Sequence, residues 1–207
     1  MIIAVDGPAA SGKGTIARKL AEYLGFNYLD TGSLYRAVAR DVINSGQNIE
    51  NIEAARIAAQ NLDSNSLNDP ELRNTGIGEA ASIIARMAEV RDVLLNYQRN
   101  FAAKSPGAIL DGRDIATVVC PEADIKLFIT ASIEERAKRR YRELSPKNTE
   151  ITYSEVLKLI NKRDERDSSR SIAPLKKAED AHLLDTTNLD IETAYKTAVE
   201  LIDAVIN

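Results

Sequence analysis

The stretch Gly7-Pro8-Ala9-Ala10-Ser11-Gly12-Lys13-Gly14-Thr15 decides the fold. An apolar run, Ile2-Ile3-Ala4-Val5, precedes it, and a helical pattern follows in Ile16, Ala17, Leu20, Ala21 and Leu24. A short buried strand, a glycine-rich turn and a helix start make a phosphate cradle. Glycines let several backbone N–H groups point inward. The helix start adds unpaired donors and a partial positive charge. All nine residues, Gly7 to Thr15, are candidates for the cradle. Lys13 is placed to reach phosphate oxygens as a point charge, and Thr15 to set a hydroxyl on Mg²⁺.

Working outward, the first strand takes residues 2–6, apolar enough for burial on both faces. A helix from about 13 to 24 stops at Gly25. Asn27-Tyr28-Leu29 is a second strand, and Asp30-Thr31 supplies capping chemistry for a helix from about 32 to 44. This β-α-β-α order predicts a parallel sheet with covering helices. Residues 47–104 break the pattern. A helix is expected around Ala54–Leu62, then a polar, turn-rich piece with a helix start at Asp69-Pro70-Glu71. Gly76 and Gly78 are expected to interrupt, before a helical period from Ala81 to Phe101. Further strands are expected at 108–110, 125–129 and 182–185, with helices at 132–144 and 153–168, a turn at 145–148 and a closing helix to Val205.

Composition narrows the class. The 207 residues suit one domain with small insertions, and 44% hydrophobic with 28% charged content is ordinary for a soluble globular protein. No basic region leads into an apolar leader segment, and no apolar run approaches the ~20 residues of a membrane helix. The one cysteine, Cys120, excludes an internal disulfide and fits a reducing cytoplasm. One His and one Cys make no zinc site. A net charge of −4 argues against a general nucleic-acid binder. The segment 134–170 nevertheless carries 11 basic against 8 acidic residues, which suits clamping of a polyphosphate.

Ligands in open α/β sheets bind beyond the carboxyl ends of the strands. The phosphate loop, Asp30-Thr31 and Asp111-Gly112-Arg113-Asp114 all fall there. Asp111 ends an apolar strand, where a carboxylate can hold Mg²⁺ through water.

The Gly12-Lys13-Gly14-Thr15 ending is the form seen in nucleoside monophosphate kinases, with Gly14 in the usual Ser/Thr slot. Further motifs are Leu29-Asp30-Thr31-Gly32-Ser33-Leu34-Tyr35-Arg36-Ala37, Asp111 to Val119, Arg163 to Arg170 and Ala173-Pro174-Leu175. With these, nearly the whole chain resembles the bacterial cytidylate kinases. The resemblance implies transfer of the ATP γ-phosphoryl group to CMP or dCMP in pyrimidine metabolism, with Mg²⁺. The loop from Gly7 to Thr15 would bind ATP, Arg136 would pack on the adenine and Arg140 would contact the ATP phosphates. Arg36, Arg113 and Arg170 would hold the CMP phosphate, and Arg163 and Asp167 would meet the ribose. Asp114, Ser82 and Arg91 would read the cytosine edge, with Thr31 and Tyr35 lining the same pocket. Lys13, Arg113, Arg140 and Arg170 would carry catalysis, as positioned charge around the transferring group.

The expected architecture is therefore an α/β P-loop NTPase-type fold. A parallel five-stranded sheet is flanked by helices, with the core at about 1–43, 105–143 and 170–207. A helical NMP-binding insert takes about 44–104 and a lid about 144–169. The expected partners are nucleotides alone, with no nucleic acid and no membrane, and the expected state is a cytoplasmic monomer. Family members with longer inserts carry additional β structure before the position of Ser82, whereas Gly46 to Gly78 is shorter here and mostly helical or turn-like. Asn161-Lys162-Arg163-Asp164 reproduces the N-K-x-D guanine motif of GTPases, but inside a charged helical pattern rather than after a buried strand. A non-enzymatic nucleotide switch would use the loop but has no need of the Gly-Arg-Asp and Arg-rich segments.

Overall fold

A computed structural model describes residues 1–146 and 148–206. Lys147, within the expected turn at 145–148, lies outside the described residues. Strands β1 (Ile2–Asp6), β2 (Asn27–Asp30), β3 (Ala108–Gly112), β4 (Ile125–Thr130) and β5 (His182–Asp185) form one sheet in the order β2-β3-β1-β4-β5. Every pairing is parallel. β1 sits centrally, in register with β3 from Ile2 opposite Ala108 to Asp6 opposite Gly112. β2 and β3 thus lie on one side of β1 and β4 and β5 on the other, and the crevice where the order reverses opens where the phosphate loop begins.

Alternation along the strands divides the core. Ile3, Val5, Ile109, Leu127 and Ile129 pack with α1 (Lys13–Leu24) and α8 (Ile191–Ile206). Ala4 and Leu110 face the other way, onto Leu34, Val38, Ile84 and Leu94. These come from α2 (Thr31–Asn44), α4 (Thr75–Ile84) and α5 (Ala88–Ala102). Burial on both faces explains the continuous apolar strands, each large side chain contributing about 1.5–3 kcal/mol.

Between α2 and β3 the described residues hold no strand. They hold α3 (Ile52–Gln60), 3₁₀ turns at Ser64–Asn68 and Pro70–Arg73, then α4 and α5. Gly76 and Gly78 do not interrupt the helix as expected; both lie inside the first turns of α4. A glycine there costs under about 1 kcal/mol relative to alanine, and packing of Ala80, Ala81 and Ile84 into the core outweighs it. The period from Ala81 to Phe101 belongs to two helices, broken at residues 85–87. That break brings Ser82 and Arg91, nine positions apart, to one cavity.

Helices α6 (Ile133–Leu144) and α7 (Tyr153–Ser168) stand together beyond β4. Each begins on a side-chain cap: Ser132 accepts the Glu135 N–H, and Thr152 with Glu155 forms a reciprocal capping box. Leu144, Val156 and Ile160 join them to Ala9 of the phosphate loop. One wide π-helical turn, Ile115–Val119, follows β3 and has no expectation to match it.

Candidate active site

α1 starts at Lys13, and its N-cap is Gly12 in the left-handed region at φ 89°. Only glycine adopts this cheaply, and having no side-chain cap leaves the first helical N–H groups for a ligand. Gly14 has a separate reason. A Cβ there would stand 3.0 Å from Oδ2 of Asp111, so the Ser/Thr of the common motif would crowd that carboxylate.

Ala10, Ser11, Gly12, Lys13, Gly14 and Thr15 line a cavity of about 670 Å³, with Asp30, Arg140 and Arg18 among the other walls. A second cavity, of about 170 Å³, takes in Thr31, Tyr35, Arg36, Ser82, Arg91, Arg113, Asp114, Arg163, Asp167 and Arg170. All the residues expected to meet the acceptor nucleotide therefore surround one space, although they come from α2, α4, α5, β3 and its following loop, and α7 with its C-terminal flank. Lys13, Gly14 and Asp30 are common to both cavities. The two spaces meet at the lysine.

The electrostatics at this junction follow from burial and pairing. Burial, then the Arg113 charge, pulls Lys13 down to about 8, with Asp111 opposing. Lys13 Nζ lies 3.6 Å from Asp111 Oδ1, and the Tyr28 hydroxyl donates to Asp111 Oδ2 at 2.7 Å. Burial raises Asp111 above the ordinary carboxylate value, Lys13 counteracting. Asp30 holds the N-cap position of α2, but its carboxylate makes no cap bond. It accepts from Arg36 Nη2 at 2.6 Å instead. Burial would raise Asp30, yet Arg36 and then Lys13 hold it below its usual value. The ion pair displaces the expected cap.

Deeper in the second cavity, Asp167 gathers cations. Arg113 Nε donates to it at 2.9 Å, Arg170 stands at 3.8 Å and Arg163 at 3.9 Å, and the Ser82 hydroxyl donates at 3.4 Å. Burial, then the neighbouring Arg113, lowers Arg163 to about 10. Arg91 pairs with Asp114, both almost fully buried, and lies 5.9 Å from the centre of the Tyr35 ring. These arginines outnumber their carboxylate partners. A phosphate dianion is the ligand chemistry that completes such a set, and guanidinium forks suit its oxygens.

Arg136, expected to pack on the adenine, is engaged within the protein. Its side chain is buried: Nε donates to Ala131 O at 2.9 Å, Nη1 to Ala9 O at 3.3 Å, and Nη2 meets Asp164 at 2.6 Å. It ties α7 to the phosphate loop, and only 7% of its side chain meets solvent. Arg136→Met should therefore destabilise the fold by about 3 kcal/mol in urea unfolding, because Asp164 loses its buried partner. An unchanged midpoint with a raised KM for ATP would restore the adenine role. Gly7 and Pro8 enter neither cavity wall, and Ala9 borders a neighbouring space with Lys13 and Arg36.

Several residues escaped sequence reasoning. Arg139 donates to Thr186 Oγ1 at 2.9 Å and to Thr186 O at 2.7 Å. Both line a space of about 410 Å³ on the far side of the loop, with Leu189 and Ile191. Arg18 stacks at 5.0 Å over Tyr28. Nothing in helical periodicity separates Arg139 from Arg136 or Arg140. Asp30, by contrast, is already placed by the sequence with the ligand-facing strand ends, and it borders both cavities.

A phosphate loop beyond the central strand of a parallel sheet, joined at its lysine to an arginine-lined second cavity, defines a P-loop kinase of a small acceptor. In fold the chain is similar to TT1252 from Thermus thermophilus (TM-score 0.52, 20% identity, 100% of this chain and 98% of that one). It is also similar to a shikimate kinase from Bacteroides thetaiotaomicron (TM-score 0.51, 12% identity, 98% of each). The profile of the cytidylate kinase family matches residues 3–204. Curated relatives named cytidylate kinase include that of Rhodopseudomonas palustris BisB18, 50% identical over 99% of this chain and 97% of the relative. That of Xanthobacter autotrophicus Py2 is 53% identical over 99% and 98%. The chain belongs to the cytidylate kinase family.

Proposed function

We propose that the larger cavity holds MgATP and the smaller one CMP or dCMP, with the γ-phosphoryl group passing between them beside Lys13. The family's reaction makes the chain a (d)CMP kinase, giving ADP and CDP or dCDP in pyrimidine nucleotide metabolism. The observation carrying the site assignment is the meeting of the two cavities at Lys13, Gly14 and Asp30. The acceptor phosphate is already an oxyanion, so no general base is required. Its oxygen bonds to the γ-phosphorus in line as the bond to the ADP oxygen breaks. The protein supplies alignment and positive charge.

In this reading Arg36, Arg113 and Arg170 hold the CMP phosphate, and Arg163 and Asp167 meet the ribose. Asp114, Ser82 and Arg91 face the cytosine, whose amino group donates where a uracil carbonyl would not. Thr31 and Tyr35 close the pocket. Arg140 meets the ATP phosphates, with Lys13, Arg113 and Arg170 completing the charge around the transferring group. The base of ATP falls to the space beside Arg139 and Thr186 rather than to Arg136.

Thr15 and Asp111 fit Mg²⁺. Their donors are a hydroxyl and a carboxylate, hard oxygens, and the described residues offer no cluster of three or more His, Cys, Asp or Glu. Mg²⁺ keeps several waters and needs few protein ligands when phosphates are present. When bound, it neutralises charge on the phosphate oxygens.

The helices between 44 and 104 form the acceptor-binding insert and 144–169 the lid. Ser82 of the one already bonds Asp167 of the lid's end, and closure of both excludes water from the transfer. No helix among the described residues is long and apolar enough to cross a membrane. The net charge of −4 supports nucleotides rather than nucleic acid as the partners of a cytoplasmic monomer. The testing experiment is ADP production with MgATP against CMP, dCMP, UMP, AMP and GMP. Turnover confined to CMP and dCMP is expected; turnover on UMP at a similar rate would remove the cytosine assignment, and acceptor-independent hydrolysis alone would indicate a switch.

A further inference from the structure

Asp6 is the last residue of β1 and stands immediately before the phosphate loop. It is 1% exposed and lines neither the ATP nor the CMP cavity. Its Oδ1 accepts the Ile115 N–H at 2.9 Å and its Oδ2 the Ala116 N–H at 2.8 Å. Those two amides open the π-helical turn that directly follows Arg113 and Asp114. The β1–β3 register ends at Asp6 opposite Gly112. Past that point the ladder no longer fixes the chain, and the Asp6 carboxylate takes over.

We propose that Asp6 is a positioning residue for acceptor recognition. Through the amides of residues 115 and 116 it sets where Arg113 and Asp114 stand relative to the phosphate loop. The inference rests on the reading of the smaller cavity as the CMP site. Two charge-assisted bonds to one carboxylate fix both its rotation and the spacing of the two segments. The same strand end thus carries the donor loop forward and holds the acceptor-reading loop sideways. Keeping a carboxylate buried is costly. Burial pushes Asp6 up to about 7, with the two backbone bonds opposing and Asp114 adding to the rise. A buried carboxyl with two backbone partners, lining no substrate cavity, holds geometry. Asparagine keeps the shape but offers one acceptor oxygen and turns its NH₂ toward the other backbone N–H.

The test is Asp6→Asn assayed with CMP and UMP, with Asp114→Asn in parallel. Asp6→Asn is expected to raise the KM for CMP about tenfold, from one lost bond to a charged group. It should also narrow the CMP-over-UMP ratio of kcat/KM, while ATP binding by calorimetry moves by less than about threefold. Its melting temperature should fall by only a few degrees, because the burial cost of the charge is gone while one backbone N–H loses its acceptor, so KM and the base ratio are the deciding readouts. A purely structural Asp6 would lower the melting temperature and leave KM and the base ratio in place, which overturns the proposal. Should Asp6→Asn not fold, Asp6→Ser, which leaves room for a water, carries the same expectations. If the Asp6 variants keep KM and the ratio while Asp114→Asn loses discrimination, the Asp6 inference fails and the CMP cavity stands. If Asp114→Asn also keeps both, the cavity assignment fails with it.

Discussion

Lys13→Ala is expected to lower kcat for CMP phosphorylation by about 10²–10³-fold, the size measured when one preorganised charge-stabilising donor is removed from an active site. The lysine is placed where that charge develops. It starts α1, it borders both cavities, and only 12% of its side chain meets solvent. A low-dielectric surround makes its charge count for more than at a surface. The loss should fall on kcat more than on KM, since the contact strengthens as the γ-phosphoryl group moves between donor and acceptor. The substitution also leaves Asp111 and Asp30 without their shared cation. A modest stability loss is therefore expected, and circular dichroism at the assay temperature separates it from the catalytic one. Turnover within a few-fold of the unaltered enzyme, in a folded variant, would remove the phosphate-loop assignment.

The sheet was legible because its code is local. Five short apolar runs, each ending near polar residues, carry the strands, and Gly25 marks the end of α1 where it was expected. Gly76 and Gly78 misled because helix propensity is weak beside the burial of Ala80, Ala81 and Ile84. The acceptor residues were legible through the family resemblance, not through spacing. Ser82 and Arg91 reach one cavity only because the chain breaks after Ile84, and no periodicity announces that break. Arg136, Arg139 and Arg140 show the limit most sharply. All three sit on one basic helix, yet Arg136 is sealed against Ala9 and Asp164, Arg139 is bonded to Thr186 and Arg140 lines the large cavity. Their fates depend on what α6 packs against, which is long-range information. Asp6 was invisible for the same reason, its partners lying 109 and 110 positions away.

Asp114→Asn is expected to erode base discrimination by about 10- to 100-fold in the CMP-over-UMP ratio of kcat/KM, as one reading hydrogen bond is worth about 1–3 kcal/mol. A carboxylate can only accept, so it favours the cytosine amino group and opposes the uracil carbonyl. An asparagine presents either its oxygen or its NH₂ and can satisfy both. Arg91 decides how far that freedom goes. Its guanidinium is 7% exposed and paired with Asp114, so in the variant it draws the amide oxygen toward itself and turns the NH₂ toward the base. That orientation suits the uracil carbonyl. UMP turnover should accordingly rise in absolute terms while CMP turnover falls, a crossing that general loosening of the pocket would not give. Loosening would depress both. Replacing the carboxylate also weakens a buried ion pair, and CMP should restore less of the melting temperature to the variant than to the unaltered enzyme. Steady-state rates with both nucleotides, together with the CMP-induced shift in melting temperature, check the two halves separately. An unchanged ratio would remove base reading from Asp114, and an unchanged KM for CMP with it would remove the cavity assignment.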